Sequence, residues 1–313
     1  MVTIGLEEFQ LARNALKGKI LHTPLLPFPF LKTQQGHPIY LKAENLQPSG
    51  SFKIRGATFC ISKLPPETTQ VVAYSTGNHA QAVALAARQY GRKATIVMSP
   101  ETLAFKIAAT QALGAEVVIV PASERKKYAE ELAASTGAYL IPPFDHPDII
   151  TGQGTIGLEI IEAVVPAAIV VPLGGGGLIA GIAAAVKQLY PSVKLIGVEP
   201  ELENDGWRSF HSGTLATMAG PSNSVADAVK IPCLGELTFP LIRDYVDDVI
   251  TVSEIATIAA TKMLLESAHL VAEPSGALAL AGALFYPFSG SPDKPVVCIL
   301  SGGNTTLSLL SKL

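Results

Sequence analysis

Cysteine is scarce in these 313 residues: Cys60, Cys233 and Cys298 stand far apart, with no C-x-x-C pair. That spacing argues against a disulfide framework and a zinc site, and it predicts reduced thiols in a cytosolic protein. Charge is sparse as well. Charged residues make up 16% and hydrophobic ones 48%, so the chain is a packed globule and not a disordered one. Neither sign dominates: 23 Lys and Arg against 26 Asp and Glu leave a net charge of −3, with no basic face for nucleic acid. Every long apolar run is broken by proline or by a glycine cluster before it could span a membrane, and Glu7 and Glu8 interrupt any secretion signal. A soluble, cytoplasmic protein without membrane or nucleic-acid partners is expected. Repeats and low-complexity tracts are missing, and feedback by a C-terminal regulatory module of 100–200 residues is not expected.

What is present is a regular alternation. After an opening helix marked by Leu6, Phe9, Leu11, Ala12 and Leu16, the segment from His22 reads as extended or turning, and Ile39–Leu41 as a short strand. From residue 71 onward, short β-rich runs alternate with helical ones: strands at 71–74, 94–98 and 116–120, helices at 80–90, 105–113 and 123–134. A second series has helix 155–164, strand 168–171, helix 178–190, strand 194–198, helices 253–268 and 275–284, strand 296–300 and helix 304–310. Repeated βαβ units predict an α/β protein with two doubly wound open sheets, the smaller covering roughly residues 70–145. The stretch 202–235 is the least regular and reads as surface loops.

Open α/β sheets bind ligands at the ends of their strands, where strand passes into helix. Three such junctions carry unusual residues. Ser75-Thr76-Gly77-Asn78-His79 offers hydroxyls, an amide and free backbone N–H groups suited to a carboxylate. Gly174-Gly175-Gly176-Gly177 lets successive amides converge on a phosphate. It has neither the dinucleotide spacing G-x-G-x-x-G nor a P-loop lysine, which weakens NAD and ATP-cleaving readings. Ser301-Gly302-Gly303-Asn304 presents a lone hydroxyl at the end of a buried strand. Upstream, Ser51-Phe52-Lys53-Ile54-Arg55-Gly56-Ala57 puts Lys53 at a loop-to-helix junction, where desolvation would lower its pKa and make the neutral amine a nucleophile.

In this order, these four motifs resemble the pyridoxal-phosphate (PLP) enzymes of the tryptophan-synthase-β fold (fold type II). The resemblance is nearest to the serine/threonine dehydratase and serine racemase branch, and it runs from His22-Thr23-Pro24-Leu25 to Ser301-Gly302-Gly303-Asn304. It implies a large cofactor-binding domain from residues 1–69 and 146–313, a small mobile domain from 70–145, and PLP in the cleft between them. It also implies that Lys53 holds PLP as a Schiff base and moves the substrate α-proton, that Phe52 lies against the ring, and that Asn78 bonds the phenolic oxygen. Gly174, Gly175, Gly176 and Gly177 would cradle the phosphate, and Ser301 would bond the pyridine nitrogen. A neutral hydroxyl there leaves a weaker electron sink, favouring β-elimination over transamination. Ser75, Gly77 and His79 would bind the substrate carboxylate.

Two further matches narrow the branch. Glu199-Pro200-Glu201-Leu202-Glu203-Asn204-Asp205 resembles the metal loop of cation-dependent members: Glu199 and Asp205 as carboxylate ligands and Glu203 through its carbonyl, for Mg²⁺, Mn²⁺ or Ca²⁺. Thr76 stands where racemases of this branch have a serine acid/base. Arg125 aligns with an arginine that reaches the site on closure and could pair with a second substrate carboxylate. The implied activity is conversion of serine, threonine or a related β-hydroxy amino acid to a 2-oxo acid and ammonia. The alternatives are serine or aspartate racemisation by Lys53 and Thr76 on opposite faces, β-replacement as in cysteine synthase, and a non-catalytic metabolite-binding protein on the same fold. A homodimer is the implied assembly.

Overall fold

The computed structural model describes residues 4–220 and 222–313. Its described strands are β1 (Leu25–Lys32), β2 (Pro38–Lys42), β3 (Gln70–Tyr74), β4 (Lys93–Met98), β5 (Glu116–Ile119), β6 (Tyr139–Leu140), β7 (Ala168–Pro172), β8 (Lys194–Pro200), β9 (Asp248–Val252) and β10 (Val296–Ile299). They form a six-stranded sheet ordered β1-β2-β10-β7-β8-β9 and a four-stranded sheet ordered β5-β4-β3-β6. Every neighbouring pair is parallel except β1 with β2, which is antiparallel.

The apolar runs explain the layering. Strands β7 and β10 are buried along their whole length, as expected of central strands covered on both faces. Alternate residues point to opposite cores. Ile169, Val171, Val297 and Ile299 face the helices Pro147–Ala163 and Gly177–Leu189. Ala168, Val170, Val296 and Cys298 face the helix Pro274–Phe285 on the other side. The sequence thus specifies a doubly wound sheet by the period of two.

The local differences have local causes. The segment from Leu25, expected as extended or turning, is an edge strand; Pro27 and Pro29 lack the N–H that a central strand must donate. The helix expected from residue 155 begins at Pro147, because proline suits the first helical turn and His146 caps it by accepting the Asp148 N–H at 3.2 Å. The irregular stretch 202–235 contains the helix Asp205–Ser212. The helix expected over 304–310 shortens to Leu307–Leu310, capped by Thr306. Strands β6 and β9 and the helix Thr238–Tyr245 complete the elements that the pattern left unassigned.

Two glycines bring the Lys53 helix (Lys53–Ser62) against the helix Pro147–Ala163. A Cβ on Gly152 would lie 2.6 Å from the Cα of Gly56, so only glycine admits this backbone-to-backbone approach.

Candidate active site

Chain order reverses direction between β7 and β10, since β8 and β9 extend the sheet one way and β10 and β2 the other. The crevice at such a switch point is the usual ligand site. Here the ends of β7 and β10 open onto a cavity of about 400 Å³ that also meets the end of β3 from the smaller sheet. Phe52, Lys53, Ser75, Thr76, Gly77, Asn78, His79, Arg125, Gly174, Gly175, Gly176, Gly177 and Ser301 all line it. Glu199, Glu203 and Asp205 do not line it.

Lys53 is the first residue of its helix, and the preceding turn is clamped to the end of β10. The Phe52 N–H donates to the Ser301 carbonyl at 3.0 Å, and Ser51 bridges to Gly302. The Lys53 ammonium donates to the Pro143 carbonyl at 2.7 Å and lies 5.3 Å from the centre of the Phe52 ring. Burial lowers its pKa to about 8, so a useful fraction is neutral amine near physiological pH. A solvated surface lysine would not be.

The loop after β3 opens the helix Asn78–Gln89, whose first N–H groups have no partner within the helix and can hold an anion. The His79 side chain is turned away from that role. Its Nε2 donates to the Ile141 carbonyl at 3.0 Å, and burial, with Lys53 close by, lowers its pKa to about 3, so the ring is neutral. Any contribution of His79 to carboxylate binding is therefore by its backbone N–H. Arg125 begins the helix Arg125–Thr136 at the cavity rim, its Nε donating to the Ala122 carbonyl at 3.3 Å.

Asn78 is held at both ends of its amide. Its Oδ1 accepts from Asn304 Nδ2 at 2.7 Å and its Nδ2 donates to Glu273 Oε1 at 2.5 Å. Glu273 lines the cavity, and burial raises its pKa to about 7. Lys106, also in the lining, reaches across to Asp227 at 2.8 Å. Glu273, Lys106, Asp227 and Pro143 were not singled out from sequence; each is an ordinary residue type in an ordinary stretch, and only folding brings them to the cavity.

The tetraglycine loop fits a phosphate. Gly176 has φ +92°, and Gly177 starts the helix Gly177–Leu189, whose unpaired N–H groups face the loop. Side chains are excluded on the protein side: a Cβ on Gly175 would sit 2.5 Å from the Phe144 ring, and one on Gly176 would sit 2.8 Å from Thr238 Oγ1. Thr238 fixes the loop by donating Oγ1 to the Gly175 carbonyl at 2.7 Å. Ser301, nearly buried, has only a long 3.5 Å contact to the Ser275 carbonyl, leaving its hydroxyl able to bond a ring nitrogen.

Under the Lys53 helix lies a cluster of buried charges. Arg55 donates Nη2 to Glu44 at 2.7 Å and Nη1 to Glu159 at 2.6 Å, while Lys42 donates to Glu159 at 2.6 Å and to the Thr23 carbonyl at 2.7 Å. Burial opposes the Arg55 charge, but the two carboxylates outweigh it and raise its pKa. Two cations against two anions leave the cluster neutral, the condition for tolerating ions out of water.

In the acidic loop, Glu199 accepts from the N–H groups of Gly206 at 3.1 Å and Trp207 at 2.6 Å, capping the helix Asp205–Ser212. Burial and the facing Asp205 raise its pKa well above the carboxylate range. Burial raises Asp205 to about 6, and its Oδ2 is buried without a partner. An orphaned carboxylate oxygen opposite a second acid is what a bound divalent cation would satisfy.

A lysine of lowered pKa, a phosphate cradle at a helix start and a hydroxyl at the end of a central strand define an enzyme built to hold an aldehyde cofactor with an anionic tail. Residues 16–302 match the family described as pyridoxal-phosphate dependent enzyme, and the chain belongs to that family. It is 43% identical over 307 residues to the L-threo-3-hydroxyaspartate ammonia-lyase of Saccharomyces cerevisiae, covering 96% of this chain and 94% of that one. It is 39% identical to the serine racemase of Arabidopsis thaliana, covering 96% and 92%. Among solved structures, a T.th. threonine deaminase superposes with a TM-score of 0.92 at 41% identity, covering 97% of this chain and 99% of the other. Maize serine racemase does so with 0.94 at 35%, covering 99% and 97%.

Proposed function

We propose that this protein is a PLP-dependent ammonia-lyase that converts β-hydroxy amino acids, such as serine, threonine or 3-hydroxyaspartate, to 2-oxo acids and ammonia. The observation that carries this reading is the convergence of Lys53, the anion-binding loop 75–79, the tetraglycine cradle and Ser301 on one cavity. Relatives named as ammonia-lyases and threonine deaminases of full-length similarity support it. Lys53 would hold the cofactor, with the phosphate at Gly174–Gly177, the ring beside Phe52, the phenolic oxygen at Asn78 and the ring nitrogen at Ser301.

When bound, PLP supplies the electron sink that makes the α-proton acidic. Lys53, set free by substrate, takes that proton at its neutral Nζ. The N–H groups of the 75–79 loop would orient the α-carboxylate, the neutral Ser301 hydroxyl would keep the sink weak, and the proton taken by Lys53 balances the hydroxide lost from the β-carbon, so that water is the net product. The enamine released then hydrolyses to the 2-oxo acid and ammonia. Arg125 suits a second carboxylate on the substrate.

Residues 70–145 form the small mobile domain in this reading, and their closure over the large domain (1–69 and 146–313) excludes water. The Lys106–Asp227 ion pair across the cavity supports such a contact. Glu199, the Glu203 carbonyl and Asp205 would hold Mg²⁺, Mn²⁺ or Ca²⁺, supported by the unpaired Asp205 Oδ2. The protein is read as a cytoplasmic homodimer; no helix among the described residues is long and apolar enough to cross a membrane. Racemisation is the second reading, because Thr76 provides a hydroxyl at the cavity wall.

The test is incubation of the holoenzyme with L-serine, D-serine, L-threonine and L-threo-3-hydroxyaspartate, following 2-oxo acid and chirality. Release of 2-oxo acid is expected, together with borohydride-fixed cofactor on the Lys53 peptide. Inverted substrate without 2-oxo acid would replace the lyase reading with the racemase one; label on another peptide would overturn both.

A further inference from the structure

Away from the cavity, Cys60, His146 and Asp148 each offer a donor atom, and the three donors lie within 4.8 Å of one another. They come from two helices distant in sequence. Cys60 is in the last turns of the Lys53 helix, whereas His146 caps the helix Pro147–Ala163 and Asp148 lies in its first turn. The two histidine nitrogens already have distinct roles. Nδ1 accepts the Asp148 N–H at 3.2 Å, so it carries the lone pair; Nε2 carries the hydrogen and donates it to the Tyr139 hydroxyl at 3.2 Å. Asp148 divides its oxygens in the same way. Oδ1 takes the Lys63 ammonium at 2.5 Å, while Oδ2 points back to His146 Nδ1 at 3.9 Å.

We propose that Cys60, His146 and Asp148 form a binding site for one borderline-soft divalent cation of the zinc class, separate from the acidic loop at Glu199 and from the Lys53 cavity. Sulfur, imidazole and a single carboxylate oxygen are the donor set that zinc takes, and water completes the tetrahedron. Bond lengths near 2.0–2.3 Å place such ligands about 3.5 Å apart, so side-chain rotations close the present spacing, and Nδ1 exchanges its bond from the Asp148 N–H for the cation. Tyr139 on Nε2 and Lys63 on Oδ1 are the outer partners that orient ligating imidazoles and carboxylates. On binding, the Cys60 S–H bond breaks, the S–metal bond forms and the proton leaves to water, with no change of oxidation state. Lys63 opposes a cation by its charge, but its side chain is 53% exposed and can move into solvent.

The position gives the site a consequence. Tyr139 belongs to β6 of the smaller sheet, and residues 141–146 carry the chain from there to the helix beneath the larger one. That crossing contains Pro143, which accepts from Lys53, and Phe144, which backs the tetraglycine loop. A cation at Cys60 and His146 would tie this crossing to the Lys53 helix two turns beyond Lys53, stiffening the hinge between the sheets.

The experiment uses PLP-loaded protein stripped with chelator, then dialysed against limiting Zn²⁺ in excess Mg²⁺. One zinc per chain is expected, with X-ray absorption showing a sulfur neighbour at about 2.3 Å. Cys60→Ala and His146→Gln should each weaken zinc binding at least tenfold, Cys233→Ala should leave it unchanged, and Lys63→Met should tighten it severalfold. Zinc that is not retained against Mg²⁺, a spectrum without sulfur, or binding indifferent to Cys60→Ala or lost in Cys233→Ala would each overturn the proposal. If Cys60→Ala fails to fold, the wild-type absorption spectrum and His146→Gln decide.

Discussion

The guanidinium of Arg55 donates Nη1 to Glu159 at 2.6 Å, and its side chain has no contact with solvent. This pair lies two residues from Lys53 and bonds its helix to the helix Pro147–Ala163. Arg55→Met would leave Glu44 buried beside a single cation shared with Glu159. The expected cost is about 3–5 kcal/mol of stability, read as a lowered denaturation midpoint. Arg55→Lys should recover little of it, because an ammonium cannot reproduce the paired N–H bonds to both carboxylates. An unchanged midpoint in Arg55→Met would show that the cluster contributes nothing net.

Gly176 tests the phosphate cradle. Its φ of +92° is strained for any other residue, and a Cβ there meets Thr238 Oγ1 and Ile242 Cδ1 at 2.8 Å. Gly176→Ala should cost about 1–3 kcal/mol locally and weaken PLP binding at least tenfold. Cofactor titration followed by visible absorbance measures this, and equal affinities would remove the loop from the phosphate site.

Thr76 separates elimination from racemisation. Thr76→Ala should leave 2-oxo acid formation from L-serine within severalfold of wild type, while any conversion of L- to D-serine falls at least tenfold. Chiral chromatography of one reaction mixture reads both. A parallel fall in both rates would assign Thr76 to substrate positioning instead.

Glu273 carries a pH prediction. Burial raises its folded pKa to about 7, whereas an unfolded glutamate titrates near 4.5. The folded state therefore binds more protons between those values. The stability associated with the neutral acid is complete below about pH 4.5 and is lost as pH rises through about 7. Glu273→Gln keeps an acceptor for Asn78 Nδ2 but cannot ionise. Relative to wild type, the variant should gain roughly 2–3 kcal/mol on going from pH 5 to pH 8. Denaturant midpoints at the two values supply the difference; a pH-independent gap would mean that Glu273 is not the titrating group. Of the charged neighbours, Lys106 lowers the Glu273 pKa and Asp227 raises it.

Asp205 is the test of the acidic loop. If a divalent cation binds there, EDTA should lower the melting temperature of the wild type and Mg²⁺ or Ca²⁺ should restore it. Asp205→Asn should be insensitive to both. A wild type indifferent to EDTA would leave Glu199 as a helix cap and nothing more.

Much of this protein is determined by sequence alone, because the relevant signals are local. A run such as Ala168-Ile169-Val170-Val171 followed by four glycines and an alanine-rich stretch can only be satisfied as strand, turn and helix. Strand ends are where α/β sheets bind ligands, and the residues at those junctions line one cavity in the folded chain. Tertiary structure decided what depends on contacts distant in sequence. Lys53 is lowered to about 8 by the burial that the completed fold supplies, Glu273 becomes Asn78's partner across 195 residues, and His79 is neutral because burial, with Lys53 close by, disfavours its charged form. The cysteine spacing argued against a zinc site; the fold nevertheless sets Cys60 beside His146 and Asp148, because two helices meet at Gly56 and Gly152. Secondary structure follows from neighbours along the chain, whereas charge state and coordination follow from neighbours in space.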